Sequence, residues 1–397
     1  MNVPMASHSF LMNTYSRQNI AFSHGSGVWL WDTEGRRYLD ALSGIAVNGL
    51  GHNHPRLVKA IAGQAARVIH TSNLFQVPEQ EALAQRLCEL SGMREAFFCN
   101  SGAEANEAAI KIARRYAHQR GNDAAQIIVM DRAWHGRTLA TLAATDSDKA
   151  KQGFGELPGG FVRTAYRDLD AVRQAGEREP GVVAVLLEVL QGEGGIREAD
   201  IDYLRGLRAL CSAHGWLLMV DEVQSGIGRT GAWFAYQHAG IMPDVITLAK
   251  GLGSGVPIGA CLAGGAATGV MQPGSHGTTF GGGPLVSVAA LETLSIMADD
   301  GLLANAAAIG NYLLDGLSSA LQGMAGVKDI RGHGLMIGIE LDRPCVSLIA
   351  RGLERSVIIN VTRENVVRLL PPLIFSRADA DVLLTELKAL IGEFLDE

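Results

Sequence analysis

Trp216-Leu217-Leu218-Met219-Val220-Asp221-Glu222-Val223-Gln224 and, further along, Val245-Ile246-Thr247-Leu248-Ala249-Lys250-Gly251 decide the fold. Each is an aliphatic run without polar alternation that stops at a charged residue. Strands with one wet face alternate apolar and polar residues, whereas unbroken runs are expected where both faces are covered. Residues 216–221 and 245–249 therefore read as interior strands. The same pattern recurs at 96–99, 126–130 and 182–188. Between the runs lie helical patterns. After Ser101, the residues Ala105, Ala108, Ala109, Ile112, Ala113 and Tyr116 repeat at helical spacing. Strand–helix alternation predicts an α/β domain with a mainly parallel sheet.

The two ends of the chain differ from its middle. Residues 28–39 read as a hairpin, with Asp32-Thr33-Glu34-Gly35 as its turn. Residues 304–322 read as a long helix, followed by strand-like pieces at 335–341, 357–360 and 366–369. Both ends are expected to form one smaller α+β domain, from residues 1–65 and 291–397, flanking a large domain at 66–290. No linker rich in Pro, Gly or Ser and no internal repeat interrupts this plan.

The 397 residues are 47% hydrophobic and 19% charged, a balance suited to a globular enzyme. The net charge is −7 and no Lys/Arg block is present, which argues against nucleic acid or an anionic membrane as partner. No apolar run approaches the ~20 residues that span a bilayer. Residues 1–10 lack both a basic start and a long apolar stretch, so no secretory signal is read there. Cys88, Cys99, Cys211, Cys261 and Cys345 are scattered, odd in number and form no CxxC pair. Free thiols in a cytoplasmic protein are expected, with no metal site.

Ligands of parallel α/β sheets bind at the carboxyl ends of the strands. Four such ends carry unusual groups. Cys99-Asn100-Ser101-Gly102-Ala103 turns from strand to helix; its N–H groups and hydroxyl either cradle a phosphate or simply cap the helix. Asp221 ends a buried run and needs a cationic partner, which is either a structural Arg or Lys or a protonated pyridine nitrogen. Lys250 ends the next run beside Gly251 and Gly253. It is either a surface lysine or an amine whose burial makes it a nucleophile for an aldehyde. Trp134-His135-Gly136-Arg137-Thr138 offers a ring to stack and an arginine to fork onto a carboxylate, or a turn with a packed Trp. Together they supply what one phosphorylated heteroaromatic aldehyde requires.

Over nearly its whole length the chain resembles the class III pyridoxal-phosphate (PLP) aminotransferases, the ω-amino group. The resemblance is carried by Gly44-Ile45-Ala46-Val47 with Leu50-Gly51-His52-Asn53-His54-Pro55, by Asn100 to Asn106, and by His135-Gly136-Arg137-Thr138. It continues through Gln191-Gly192-Glu193-Gly194-Gly195, Asp221 to Gly231, Ala249-Lys250-Gly251 and His276-Gly277-Thr278-Thr279-Phe280. Arg331-Gly332-His333-Gly334 and Val367-Arg368-Leu369-Leu370-Pro371-Pro372 complete it.

That resemblance implies the PLP fold type I architecture and a role for each matching position. Lys250 would carry PLP as a Schiff base and move the proton. Asp221 would pair with the ring nitrogen, Trp134 and Val223 would cover the ring faces, and Gln224 would approach the phenolic oxygen. Ser101, Gly102 and Ala103 would hold the phosphate. Thr278 and Thr279 would serve the neighbouring subunit of a homodimer with shared active sites. Arg137 would bind the donor's α-carboxylate. Arg368 would bind that of glutamate, covered by Glu193 in the other half-reaction. Glu188, Tyr15 and Ile45 would line the site.

The implied reaction moves the terminal amino group of N-acetylornithine to 2-oxoglutarate, a step of arginine biosynthesis. Succinyldiaminopimelate, succinylornithine, ornithine and γ-aminobutyrate are the alternative donors. Ala103 stands where Thr is common, Trp134 where Phe is, Val189 where Pro is, and Gly283 where Asn is. Ile45 stands near the position of a Tyr in ornithine enzymes, where acetylornithine and γ-aminobutyrate enzymes tend to carry Ile.

From other classes, a dinucleotide-binding reading of Gly251-Leu252-Gly253 lacks its third glycine, and no GxxxxGK[ST], HExxH or GxSxG occurs. A catalytically dead PLP-fold binding protein is opposed by the joint presence of Lys250, Asp221 and Arg137.

Overall fold

The computed structural model describes residues 10–397. Residues 1–9, most of the segment read above for a secretory signal, lie outside the described residues. The unbroken apolar runs form the middle of a seven-stranded sheet. Its order is Glu95–Cys99, Gly259–Ala263, Val245–Leu248, Leu217–Asp221, Val182–Glu188, Gln126–Met130 and Phe161–Thr164. Neighbours run parallel except Gly259–Ala263, which is antiparallel to both strands beside it. Val182–Glu188, Leu217–Asp221 and Val245–Leu248 are buried at every position, as unalternating strands should be.

Two strands of this sheet were not expected. Phe161–Thr164 is short and lies at the sheet edge, and Gly259–Ala263 is built mostly of small residues. The first has strand-forming residues but too short a run to stand out, the second has little strand preference, and cross-strand pairing makes both. The strand ending before Lys250 stops at Leu248, because Lys250–Leu252 turns into a short 3₁₀ helix.

Helix Gly102–Gln119 follows the first strand directly and lays Ala105, Ala108, Ala109, Ile112 and Ala113 on the sheet. The alanines allow a close approach, and Asn106 is the polar residue on that buried face.

Both chain ends share one sheet. Trp29–Asp32 and Arg37–Asp40 form the expected hairpin, Phe22–Ser26 extends it, and Val357–Ile358 pairs parallel to Arg37–Asp40. The piece expected at 357–360 is thus divided: Asn360–Thr362 belongs to a second sheet with Val366–Leu369, Met336–Leu341 and Val327–His333. Helix Leu302–Ala320 starts two residues before its expected position and packs on helix Arg377–Leu395. Helix Pro284–Asp299 runs across residue 290 and packs against Pro55–Ala65 and Pro78–Ser91. All five cysteines are free, with Cys88 half-buried and the others buried. Among the described residues no helix is long and apolar enough to cross a membrane.

Candidate active site

A cavity of about 500 Å³ opens at the carboxyl edge of the central sheet. Strand register builds its floor. Asp221 stands opposite Glu188 on one side and Thr247 on the other, and the chain beyond Thr247 brings Lys250 to the same edge.

Lys250 lines the cavity with φ of 42°, a left-handed conformation that costs a lysine energy and tends to persist at functional sites. Among the described residues its Nζ makes no hydrogen bond or ion pair. Burial lowers its pKa, with Arg368 acting in the same direction; Glu193, Asp221 and Glu188 oppose them. More of the amine is therefore neutral and nucleophilic at a given pH.

The Asp221 carboxylate is only 4% exposed. Its Oδ2 accepts hydrogen bonds from Asn106 Nδ2 and His135 Nδ1, both at 2.8 Å, and its Oδ1 accepts from Val223 N at 3.0 Å. No arginine or lysine pairs with it among the described residues, so the structural ion pair entertained from the sequence is absent.

At the start of helix Gly102–Gln119, the Ser101 hydroxyl accepts from Glu104 N at 3.2 Å, and Glu104 reaches back to Asn100 N at 2.7 Å. Ser101 therefore caps the helix, one of its two readings. Among the described residues the N–H groups of Gly102 and Ala103 find no acceptor, and both residues line the cavity. A Cβ on Gly102 would stand 2.6 Å from Val223, so only glycine lets that side chain lie against the helix start.

Glu188 holds two other walls in place. Its Oε1 accepts from Trp134 N at 2.8 Å and its Oε2 from Gly192 N at 3.1 Å. Burial raises its pKa to about 7, with the Asp221 charge adding to the rise. Gly192 is bare because a Cβ there would run into Gln224. The Arg137 guanidinium lies 5.0 Å over the Trp134 ring.

Arg368 is 2% exposed and pairs with Glu193 Oε1 at 2.5 Å. It also donates to Asn360 Oδ1 at 2.7 Å and contacts Gln224 Oε1 at 3.5 Å. Burial works against the Glu193 carboxylate, but Arg368, with Lys250 and Arg137, outweighs it and lowers the pKa.

The cavity brings together Lys250, Ser101, Gly102, Ala103, Trp134, Glu188, Asp221, Val223, Gln224, Arg137 and Glu193, with Arg368 reaching it through Glu193 and Gln224. Four predicted residues stand elsewhere. Ile45 is half-buried in a small apolar cluster beside the cavity-lining Val47. Tyr15 is 68% exposed. Thr278 accepts from Asn100 Nδ2 at 3.3 Å outside the cavity, and Thr279 is exposed. Sequence reasoning missed Asn106, whose signal was an amide on an otherwise apolar helix face. His135 was given no role, yet it grips Asp221.

The residues suit a planar, phosphorylated aldehyde. The cavity lies in the range of cofactor sites. Among the described residues, an unengaged lysine amine, two free helix N–H groups and a carboxylate with no Arg or Lys partner converge on it. Among the described residues, no cluster of His, Cys, Asp and Glu could hold a metal ion.

The pattern that defines the class III aminotransferases matches residues 12–391, and the chain belongs to that family, whose members are pyridoxal-phosphate enzymes. Acetylornithine aminotransferase 1 of Bordetella parapertussis is 63% identical over 387 residues, covering 98% of each chain. Among solved structures, N-acetylornithine aminotransferase of Stenotrophomonas maltophilia superposes with a TM-score of 0.84 at 33% identity, over 96% of this chain and 98% of that one. Ornithine aminotransferase of Toxoplasma gondii, described with PLP at its active site, gives 0.93 at 31% identity, over 98% and 94%.

Proposed function

We propose that the protein transfers the terminal amino group of N-acetylornithine to 2-oxoglutarate, giving N-acetylglutamate semialdehyde and glutamate. The observation that carries this reading is the unequal state of two arginines: Arg137 is exposed, whereas Arg368 is buried against Glu193. An enzyme that alternates between a long donor and a dicarboxylate needs one carboxylate anchor always open and one that can be covered.

Pyridoxal phosphate supplies the aldehyde that receives the amino group and a ring that withdraws electrons. Lys250 would be its attachment point, and Nζ would be the base that moves the proton of the donor carbon. Asp221 would hold a positive charge at the ring nitrogen, and Gln224 would donate to the phenolic oxygen. Trp134 and Val223 would enclose the ring, with Glu188 steadying Trp134 through its backbone N–H. Ser101, Gly102 and Ala103 would hold the phosphate. Arg137 takes the α-carboxylate of N-acetylornithine. Swinging Glu193 away exposes Arg368 to 2-oxoglutarate. Tyr15 and Ile45 border the donor.

Thr278 and Thr279 act on the phosphate of a second subunit, in a cytoplasmic homodimer. In support, Leu74, Phe75 and Phe280 are 88%, 69% and 65% exposed beside them. Asn73 ties the two segments together by donating to Thr278 O and Gly281 O. Large apolar side chains grouped in this way favour cover by a partner. The division into 1–65 and 291–397 around 66–290 belongs to the same proposal.

Free ornithine is the second reading, carried by the structural likeness to the T. gondii enzyme. A panel of amino donors with purified protein decides between them, and a strong preference for free ornithine would overturn the first. Borohydride reduction should fix the cofactor on Lys250; protein that stays colourless after PLP addition would overturn both.

A further inference from the structure

Behind Asp221, and 1% exposed, Asn106 uses its whole amide. Thr247 Oγ1 donates to its Oδ1 at 2.7 Å. With the oxygen so assigned, the NH₂ group points the other way and donates to Asp221 Oδ2 and to the His135 carbonyl, both at 2.8 Å. A flipped amide would set its oxygen against the carboxylate and its NH₂ against the hydroxyl, losing the donors on Asp221. Three elements and a turn meet at this one side chain. They are helix Gly102–Gln119, strands Leu217–Asp221 and Val245–Leu248, and the turn carrying Trp134 and His135. Between them they carry the phosphate cradle, the acid, the lysine and the stacking ring.

Asp221 Oδ2 is taken up by Asn106 and His135, whereas among the described residues Oδ1 accepts only from Val223 N. A carboxylate held this way cannot rotate without breaking two buried hydrogen bonds. We propose that Asn106, oriented by Thr247, is a positioning residue that turns Asp221 Oδ1 towards the cofactor's ring nitrogen. The proposal rests on the reading that Asp221 meets that nitrogen.

Four variants test it: Asp221→Asn, Asn106→Ala, Thr247→Val and Thr247→Ser. PLP affinity is measured by titrating apoprotein, together with the pH midpoint of the bound cofactor's visible absorbance and the melting temperature of the apoprotein. Losing one buried hydrogen bond of this kind should weaken PLP binding about tenfold. Asn106→Ala and Thr247→Val are expected to do so and to move the pH midpoint in the direction that Asp221→Asn moves it. Thr247→Ser should restore both. If Asp221→Asn alters affinity and midpoint while Asn106→Ala and Thr247→Val match the parent, the proposal is overturned, even if they melt earlier. If Asp221→Asn itself changes neither, the reading beneath it fails instead. Should Asn106→Ala not fold, Thr247→Val decides alone.

Discussion

Glu193 covers Arg368 at 2.5 Å from a position 175 residues away in the chain, and the arginine it covers is almost wholly buried. A cation in that setting is costly without its partner. Asn360 and Gln224 supply further acceptors, so the guanidinium stays oriented when Glu193 moves. The pair can therefore open without dismantling the wall behind it.

Replacing Glu193 with Ala removes the cover. The ratio of kcat/KM for glutamate to that for N-acetylornithine should rise about tenfold, an equivalent of ~1.4 kcal/mol. An unchanged ratio, measured in separate half-reactions, would end the gating idea.

Acid should break the same contact late. The Glu193 pKa is held below its ordinary 4.5, so its contribution to stability is present above that value and is lost only as pH falls through the lower folded value. Acid unfolding of Glu193→Gln should show less loss in this acidic window than the parent.

Trp134 holds Arg137 by its ring face, and a benzene ring holds a cation less well than an indole. Cation–π contacts at exposed sites are worth ~0.5–1 kcal/mol, so Trp134→Ala should raise KM for the donor by about two- to fivefold and Trp134→Phe by less. The KM for 2-oxoglutarate should change less, because its anchor is Arg368. Equal rises for both substrates would show that Trp134 acts on the site as a whole.

Glu222 gives a pH signature of opposite sign. Burial raises its pKa from 4.5 to about 7, while Ser225 Oγ and Tyr236 N donate to it. The folded chain keeps a proton there that the unfolded chain loses, so this stability is complete below 4.5 and fades as pH rises through about 7. The shift corresponds to roughly 3 kcal/mol. Denaturant titrations of the apoprotein at about pH 5 and about pH 8 should show stability falling with pH. Glu222→Gln should flatten that fall, leaving the part due to Glu188, whose pKa burial also raises to about 7. A slope that survives intact would remove Glu222 from the account.

Phe280→Asp puts a charge on the exposed apolar patch. Sedimentation should show the parent as a dimer and the variant as dissociated, with weakened PLP binding. A parent that sediments as a monomer would remove Thr278 and Thr279 from the site.

The interior strands were legible because unalternating aliphatic runs are stable only when covered on both faces. The residues that end them, Asp221 and Lys250, stood out because a charge there needs a reason. Phe161–Thr164 was not legible because a four-residue run broken by Arg163 is too short a pattern, and Gly259–Ala263 because its small residues have little strand preference; pairing decides both. Ser101 by itself read first as a cap and second as a cradle; the structure shows the cap and, among the described residues, leaves the neighbouring N–H groups free.

By itself, then, the sequence determined the α/β class, the hairpin, and the residues able to hold a phosphorylated aldehyde, because burial patterns and end charges are local properties. Only the tertiary structure decided which of those residues meet. Register sets Asp221 beside Glu188 and Thr247, and packing of an alanine-rich helix brings Asn106 behind the carboxylate. Those contacts join segments far apart in the chain, and no local pattern carries the distance between them.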